Sequence, residues 1–469
     1  MGEEIRTIRF TPEDDREFAA RLRAETDLLS QWIDGGRLAR TGHVAGFELE
    51  AWLLDHAGFP YPANERLLAL LASPLVVPEL SRFNIELNGT PQPIGPGALR
   101  ALETELDATW RRCIATAHEI EGTVTAIGIL PTIREHDLSI ANVSPLKRYA
   151  ALNSRILAAR GGRPLVIDIA GRERLALEHA DVMLEAATTS FQVHLQAPAD
   201  EALRCYNASL VLSAPMVAAS ANSPFLFGRD LWEETRVPLF EQAVDTGGRQ
   251  RVTFGSGYLE SSPIESFREN VEAFPALLPI VDDAPPDSFC HLRLHNGTIW
   301  RWNRMLVGFG ATGEPHLRIE HRVMPAGPTV LDMIANAAMY LGAAHCLATL
   351  PRAPERDLAF ADTRQNFYAA ARDGLGAELV WLGGKRTDAR SLILGEILPM
   401  AEAGLASLGV PEAERDRYLD IVGERVRSRR TGAAWQRAHA ARHGRDFFRL
   451  VVDYLEHQRS AMPVHEWDI

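Results

Sequence analysis

The sequence predicts an α+β protein: a largely antiparallel sheet with helices over one face, followed by a helical C-terminal part. Three observations carry this. Four separate stretches, "GFELEAWLL", "RFNIELNG", "SFQVHLQ" and "HLRIEHR", alternate apolar and polar residues with period two, as half-buried strands do. Residues 286–325 are laid out as a meander, with "DSFCHLRLH" and "TIWRWNRML" flanking the turn signal Asn296-Gly297, and a Gly-rich turn before "HLRIEHRVMP". From residue 328 onward the apolar spacing is helical almost throughout.

In chain order, residues 11–40 read as a charged amphipathic helix and 43–55 as a strand. Pro and Gly open a long helix at 96–121, and "TVTAIGILP" at 123–131 reads as a short strand. Strands are expected at 164–171 and 190–198. Residues 199–220 are helical, with the apolar run "YNASLVLSAPMVAASA" broken at Pro215. No internal repeat or low-complexity linker marks a boundary. The expected division is a catalytic unit over 1–350, helix 11–40 included, with a mainly helical region over 351–469 packed on it.

Composition narrows the function classes. With 46% hydrophobic and 24% charged residues in 469, the chain is an ordinary globular one. A net charge of −13 argues against a nucleic-acid binder, which needs a basic surplus. Cys113, Cys205, Cys290 and Cys346 lie far apart with no CxxC pair, so reduced buried thiols are expected rather than a disulfide framework or a zinc knuckle. The N-terminal stretch is acidic without an apolar run, and no stretch approaches the ~20 apolar residues of a membrane span. The expectation is a cytoplasmic protein with no membrane partner.

Three motifs carry little. "GFGATG" (308–313) matches a dinucleotide fingerprint, but a Glu-Pro and a strand follow where a helix is required, so it reads as a turn. "GGKRT" (383–387) has Leu379 where a P-loop needs glycine. His439 and His443 have i,i+4 spacing but sit among arginines, which reads as a solvated helix face.

The four alternating stretches carry more. Each buries one parity and presents the other. The presented residues are Glu48 and Glu50; Asn84, Glu86 and Asn88; Ser190, Gln192, His194 and Gln196; His316, Arg318, Glu320 and Arg322. A wet sheet face would explain alternation alone. It would not explain a selection of Glu, His, Asn, Gln and Arg that omits Lys and Thr. Glu48 and Glu50, two residues apart on one face, lie about 7 Å apart and repel unless water, protons or cations intervene. Oxygen-rich, thiol-free donors suit Mg²⁺, and one imidazole is tolerable in a second site. Arg318 and Arg322, with Arg293 and Arg304, offer planar forks for phosphate or carboxylate oxygens. Acids for a cation and arginines for an anion, on one surface, suggest a metal-bridged nucleoside triphosphate.

These residues also match a family. "RIEHRVMPAGPT" resembles the Arg-x-Glu-x-Arg strand of the glutamine synthetase superfamily. "FELEAWLLD" resembles its first active-site strand, with paired glutamates and an Asp five residues after the second. Together with "TTSFQVHLQ", "SANSPFLFG" and "GTIWRWNR", the likeness is to the second bacterial family of glutamate–cysteine ligases and related carboxylate–amine ligases, from about residue 43 to 345. The resemblance implies a glutamine synthetase-like, saddle-shaped antiparallel sheet with two or three Mg²⁺, or Mn²⁺ in their place, between ATP and an amino-acid carboxylate. It assigns Glu48 and Glu50 to the first metal-binding pair, Glu79 and Glu86 to the next, His194 to the metal-binding histidine and Glu320 to the late glutamate. It places Arg318 and Arg322 on phosphate or the substrate carboxylate, and Asn222 near the mouth of the site. The sequence departs at 188–191, where Thr188-Thr189-Ser190-Phe191 replaces the Gly-rich lead-in of glutamine synthetase.

The expected function is therefore an ATP- and Mg²⁺-dependent ligase. It would activate a glutamate-type γ-carboxylate as an acyl phosphate and pass it to an amine, acting as a homodimer on small-molecule substrates. Segment 250–265, "QRVTFGSGYLESSPI", is the expected closing loop. Trp300 and Trp302 read as packing residues, and Asp168 and Glu185 as capping or exposed acids. The alternatives are a guanidino-type phosphotransferase on the same fold, a carbohydrate hydrolase using paired carboxylates, and a Mg-ATP-binding regulator without turnover.

Overall fold

The computed structural model describes Ile5 and residues 7–469; the rest of the acidic N-terminal stretch lies outside the described residues. The first helix, α1 (Pro12–Asp34), starts where Thr11 and Asp14 cap each other reciprocally, and stops at Gly35, short of the expected residue 40. Strand β1 (Val44–Asp55) then forms the centre of the sheet. It is followed by β2 (Val76–Pro78), β3 (Asn84–Asn88), β4 (Gln92–Pro93), helix α2 (Ala98–Glu119) and β5 (Gly122–Thr125). The last is shorter than the expected 123–131. Residues 165–170 and 174–179 pair only with each other, as a hairpin apart from the main sheet.

Strand β6 (Phe191–Ala197) and helix α3 (Ala202–Ser220) come next. Pro215 does not break α3, contrary to expectation. The helix is buried along nearly all its length, and packing holds the turn whose hydrogen bond Pro cannot donate. The short helix α4 (Arg236–Ala243) follows.

The meander is corrected at its first member. Residues 290–297 are a helix, α5 (Cys290–Gly297), and the carboxylate of Glu25 on α1 accepts the Leu292 N–H at 2.8 Å to close its first turn. An eight-residue stretch satisfies both periods poorly, so this distant cap decides its form. The other two strands are present, β7 (Asn303–Phe309) and β8 (Pro315–His321), but β7 starts five residues later than the expected "TIWRWNRML", Asn296-Gly297 ends α5 instead of turning a hairpin, and the turn between the strands follows Phe309.

The sheet order is β7-β8-β6-β1-β3-β2, with β4 and β5 also pairing with β1, and every pairing is antiparallel. Phe47, Leu49, Ala51, Val193, Leu195, Leu317 and Ile319 all enter one apolar core with the helices. That core is completed by α6 (Val330–Thr349), α7 (Phe360–Asp373), α8 (Leu398–Ser407) and α9 (Glu412–Ser428). Helix α6, contrary to the expectation that no stretch approaches a membrane span, is long and apolar enough to cross a membrane, yet it lies largely inside this core. It meets α8 where Gly342 and Gly404 face each other, and a Cβ on either would run into the other helix's backbone.

Two further helices, α10 (Gly432–His443) and α11 (Phe447–Ser460), cap a second apolar cluster around Trp52, Phe83, Trp435 and Trp467. Here the solvated reading of His439 is also overturned. It is 1% exposed, bonded to Asp453 of α11 at 2.7 Å and packed against Trp435 with ring centroids 5.2 Å apart. In "GGKRT", Gly383 and Gly384 turn between two short strands, Glu378–Trp381 and Lys385–Asp388, and Lys385, Arg386 and Thr387 lie in the second.

Candidate active site

The opposite face of the sheet carries the polar parity of all four strands, and the register fixes who meets whom. Glu50 lies across from Glu86 on β3, and Glu48 across from Gln192 on β6. His194 pairs with Gly46 on one side and with Glu320 on the other, and Glu320 pairs in turn with Arg304 on β7.

One half of this face is charge-balanced. His194 Nε2 stands 3.4 Å from Glu48 Oε1 and 3.8 Å from Glu320 Oε1. Glu320 is gripped by Arg304 Nη2 at 2.8 Å and Arg322 Nη1 at 3.0 Å, and Arg322 also donates to Gln192 Oε1. Burial would raise both acids. The His194 charge instead holds Glu48 down at about 2, and the two arginines with His194 hold Glu320 well below the usual carboxylate range.

The other half is acid against acid. Glu50 accepts from Ser190 N at 2.7 Å and from Gln192 Nε2 at 2.9 Å. Glu86 accepts from Asn88 at 3.0 Å, and Glu79 from Leu80 N at 2.7 Å. Burial, followed by neighbouring carboxylates, pushes Glu86 up to about 7 and Glu79 well above its ordinary value. Burial also raises Glu50, against the pull of Arg322 and Arg236.

A fourth acid belongs here that sequence reasoning placed elsewhere. Glu185, in the 3₁₀ turn Val182–Ala187 that leads into β6, is raised to about 8 by burial and by the charge of Glu50. The only local signal was a lone acid in the apolar run "MLEAATT". Arg236 on α4 was missed altogether. It is buried beneath Arg322, donating to the carbonyls of Arg322 and Val323 at 3.2 and 2.6 Å and to Glu234 at 3.3 Å.

Glu48, Glu50, Glu79, Glu86, His194, Arg304, Glu320 and Arg322 are thus brought to one face. Arg318 joins them beside Glu48 and Glu320, with its Nε buried and bonded to nothing among the described residues. Arg293 sits at the margin: it is exposed on α5 rather than on a strand, near enough for its charge to act on Arg318. A cleft of about 510 Å³ lined by Trp32, Arg37, Arg293 and Phe309 opens there.

Asn222 is not part of the constellation. Its amide is 0% exposed, donating to the Ala326 carbonyl and the Tyr454 hydroxyl and accepting from Gln436, so it ties the exit of β8 to α10 and α11. His321, on the opposite parity, stacks on Tyr340 and bonds Asn303. Trp302 packs among Phe240 and Phe367, and Asp168 pairs at the surface with Arg174. Segment 250–265 is anchored at several points: Asn207 of α3 clamps Leu259 through two hydrogen bonds, Arg251 donates to the Thr298 carbonyl, and Thr253 pairs with the backbone of Trp300 and Trp302.

Two features test whether divalent cations fit this face. His194 Nε2 and Glu79 Oε1 are buried with no hydrogen-bond partner among the described residues, a costly condition that a cation removes. Four carboxylates raised by burial and one another supply hard oxygen donors in excess of any local positive charge. The donor set fits Mg²⁺.

A face of this kind, acids and a histidine beside arginines, suits a protein that binds a divalent cation together with an anionic substrate. The chain belongs to glutamate–cysteine ligase family 2, whose model matches residues 44–453. It is accordingly an ATP-dependent carbon–nitrogen ligase, and ligases of this family use ATP and Mg²⁺. The hydrolase and non-catalytic readings fall with that membership. Among solved structures, the chain is similar to a glutamate–cysteine ligase from Francisella tularensis in complex with AMP, at 13% identity and a TM-score of 0.55, covering 92% of this chain and 91% of that one. It is also similar to a bifunctional glutathione synthetase from Pasteurella multocida, at 12% identity and a TM-score of 0.52, covering 92% of this chain and 54% of that one. At these identities both bear on the fold alone. No curated protein sequence matches the chain.

Proposed function

We propose that the protein activates the γ-carboxylate of glutamate, or of a similar acid, with Mg-ATP and transfers the acyl group to an amine, on a saddle-shaped sheet of the glutamine synthetase type. The observation that carries this is the division of one buried sheet face. Glu48, His194 and Glu320 lie among arginines on one side, and Glu50, Glu79, Glu86 and Glu185 crowd together on the other. Mg²⁺ held between these groups would neutralise charge on the transferring phosphoryl group.

The chain's own residues do the positioning. Arg318, with its free Nε, offers a fork to phosphate oxygens, and Arg304 stands beside it. Arg322, clamped by Glu320 and Gln192 and backed by Arg236, is pre-organised to orient a substrate carboxylate. A carboxylate oxygen then attacks the γ-phosphorus and the bond to the β,γ-bridging oxygen breaks, releasing ADP. The amine nitrogen next attacks the acyl carbon, orthophosphate leaves, and the amine's proton passes to solvent or a buried carboxylate. The resemblance also implies a dimer, which light scattering would measure.

An ADP-release screen of amino acids and amines with Mg-ATP, on the wild type and on Glu50→Gln and Arg322→Ala, tests the reading. ADP release should require both an acid and an amine. Release with a single substrate would instead favour the phosphotransferase, and full turnover by both folded variants would remove this site from the reaction.

A further inference from the structure

Across the sheet from the carboxylate face, three segments bring a second donor set together. His43 immediately precedes β1, Glu201 immediately precedes α3, and His345 lies in the last turns of α6. One nitrogen or carboxylate oxygen from each lies within 4.8 Å of the others. His43 Nε2 is 3.0 Å from Glu201 Oε2, and the two imidazoles meet edge-on with centroids 4.8 Å apart. His345 is 9% exposed, and its Nδ1 is buried with no hydrogen-bond partner among the described residues.

A purely structural histidine normally finds partners for its buried nitrogens. This one instead has a nitrogen without a proton acceptor or donor and a second imidazole against its ring. In a tetrahedral zinc site with bonds near 2.0–2.1 Å, adjacent donors stand about 3.3 Å apart. The His43–Glu201 separation is already close to that, and the third donor needs an adjustment of only about 1.5 Å, within reach of a small rotation at Glu201, whose side chain is 39% exposed.

We propose that His43, Glu201 and His345 form a site for a borderline divalent transition metal of the Zn²⁺ class, with the remaining coordination position open to water. Two imidazoles and one carboxylate suit such an ion and are poor ligands for Mg²⁺, which holds oxygen donors and water. Metal binding needs neutral imidazoles and an ionised carboxylate, so acid weakens it. The bound ion ties the lead-in of β1, the strand carrying Glu48 and Glu50, to the ends of two core helices. It acts as a clamp, independent of the ligase reading above.

The test uses the full-length protein, dialysed against chelator and then titrated with Zn²⁺ or Co²⁺ in excess Mg²⁺. Bound metal is measured by elemental analysis, Co²⁺ by its visible absorption, and the thermal midpoint is followed in parallel. The wild type and His194→Gln should each hold one equivalent that Mg²⁺ does not displace and that raises the midpoint. In His345→Gln and His43→Gln the affinity should fall by more than about 100-fold, beyond what loss of an outer-shell partner produces, while circular dichroism shows the fold kept. No bound metal in the wild type overturns the proposal. So does metal that survives in His345→Gln but is lost in His194→Gln, since the ion would then belong to the carboxylate face.

Discussion

Replacing Glu185 by glutamine should stabilise the metal-free protein, by an amount that grows as pH rises from about 5 to about 8. Folding raises this carboxyl from 4.5 to about 8, chiefly by burial and then by the nearby Glu50 charge. A carboxyl raised on folding contributes its stability below the unfolded value and loses it as pH climbs through the folded one. Between pH 4.5 and 8 the folded protein therefore retains a proton that the unfolded chain releases, and stability declines. The shift of roughly 3.5 units corresponds to about 5 kcal/mol, and about 3 kcal/mol after allowing for relaxation among the neighbouring acids.

The amide introduced by Glu185→Gln would mimic the protonated acid throughout. The wild type and variant should match near pH 5 and diverge by about 3–5 kcal/mol at pH 8.5, or roughly 3–10 °C in thermal midpoint for a chain of this size. Comparing the two proteins at each pH removes the opposing contribution of His295, His316 and His321, whose burial lowers them to about 4, 4 and 3. Glu48 and Glu320, held low, stay ionised across this window and lose their contribution only in acid. Saturating Mg²⁺ should close most of the gap, because a cation stabilises the ionised acids. Parallel stability curves for the two proteins between about pH 5 and 8.5 without metal would refute the reasoning.

Other consequences follow from the same geometry. Arg322→Ala leaves Gln192 Oε1 without its donor and Glu320 with Arg304 as its remaining arginine, and should cost about 3–5 kcal/mol in urea unfolding as well as activity; a loss below about 1 kcal/mol would mean the buried pair holds little. His194→Gln, which removes the imidazole between Glu48 and Glu320, should raise the Mg²⁺ concentration for half-maximal ADP release by at least about 10-fold, with the thermal midpoint little changed in chelator. Gly404→Ala forces α8 away from Gly342 and should cost about 1–3 kcal/mol at unchanged urea m-value; an unshifted midpoint would place the helices further apart than described.

Much of the polar sheet face was legible in the sequence because strand alternation is a local property. Period two alone separates Glu48, Glu50, Glu86, His194, Arg318, Glu320 and Arg322 from their apolar neighbours, and it sets His321 apart as a core residue. Where the local pattern is ambiguous, the reading failed. Residues 290–297 alternate like a strand yet form a helix, because a carboxylate 267 positions before Leu292 closes the first turn. Pro215 sits inside an unbroken helix because its neighbours are buried on every side.

By itself, then, the sequence determined the α+β class, the strands of the polar face and the family. Those follow from short-range periodicity and motif spacing, which survive without knowledge of partners. Only the tertiary structure decided that Glu185 joins the carboxylates, that Arg236 backs Arg322, that Asn222 is spent in packing, and that His43, Glu201 and His345 converge. Each of these depends on which distant segments the fold brings together, and no local period records that.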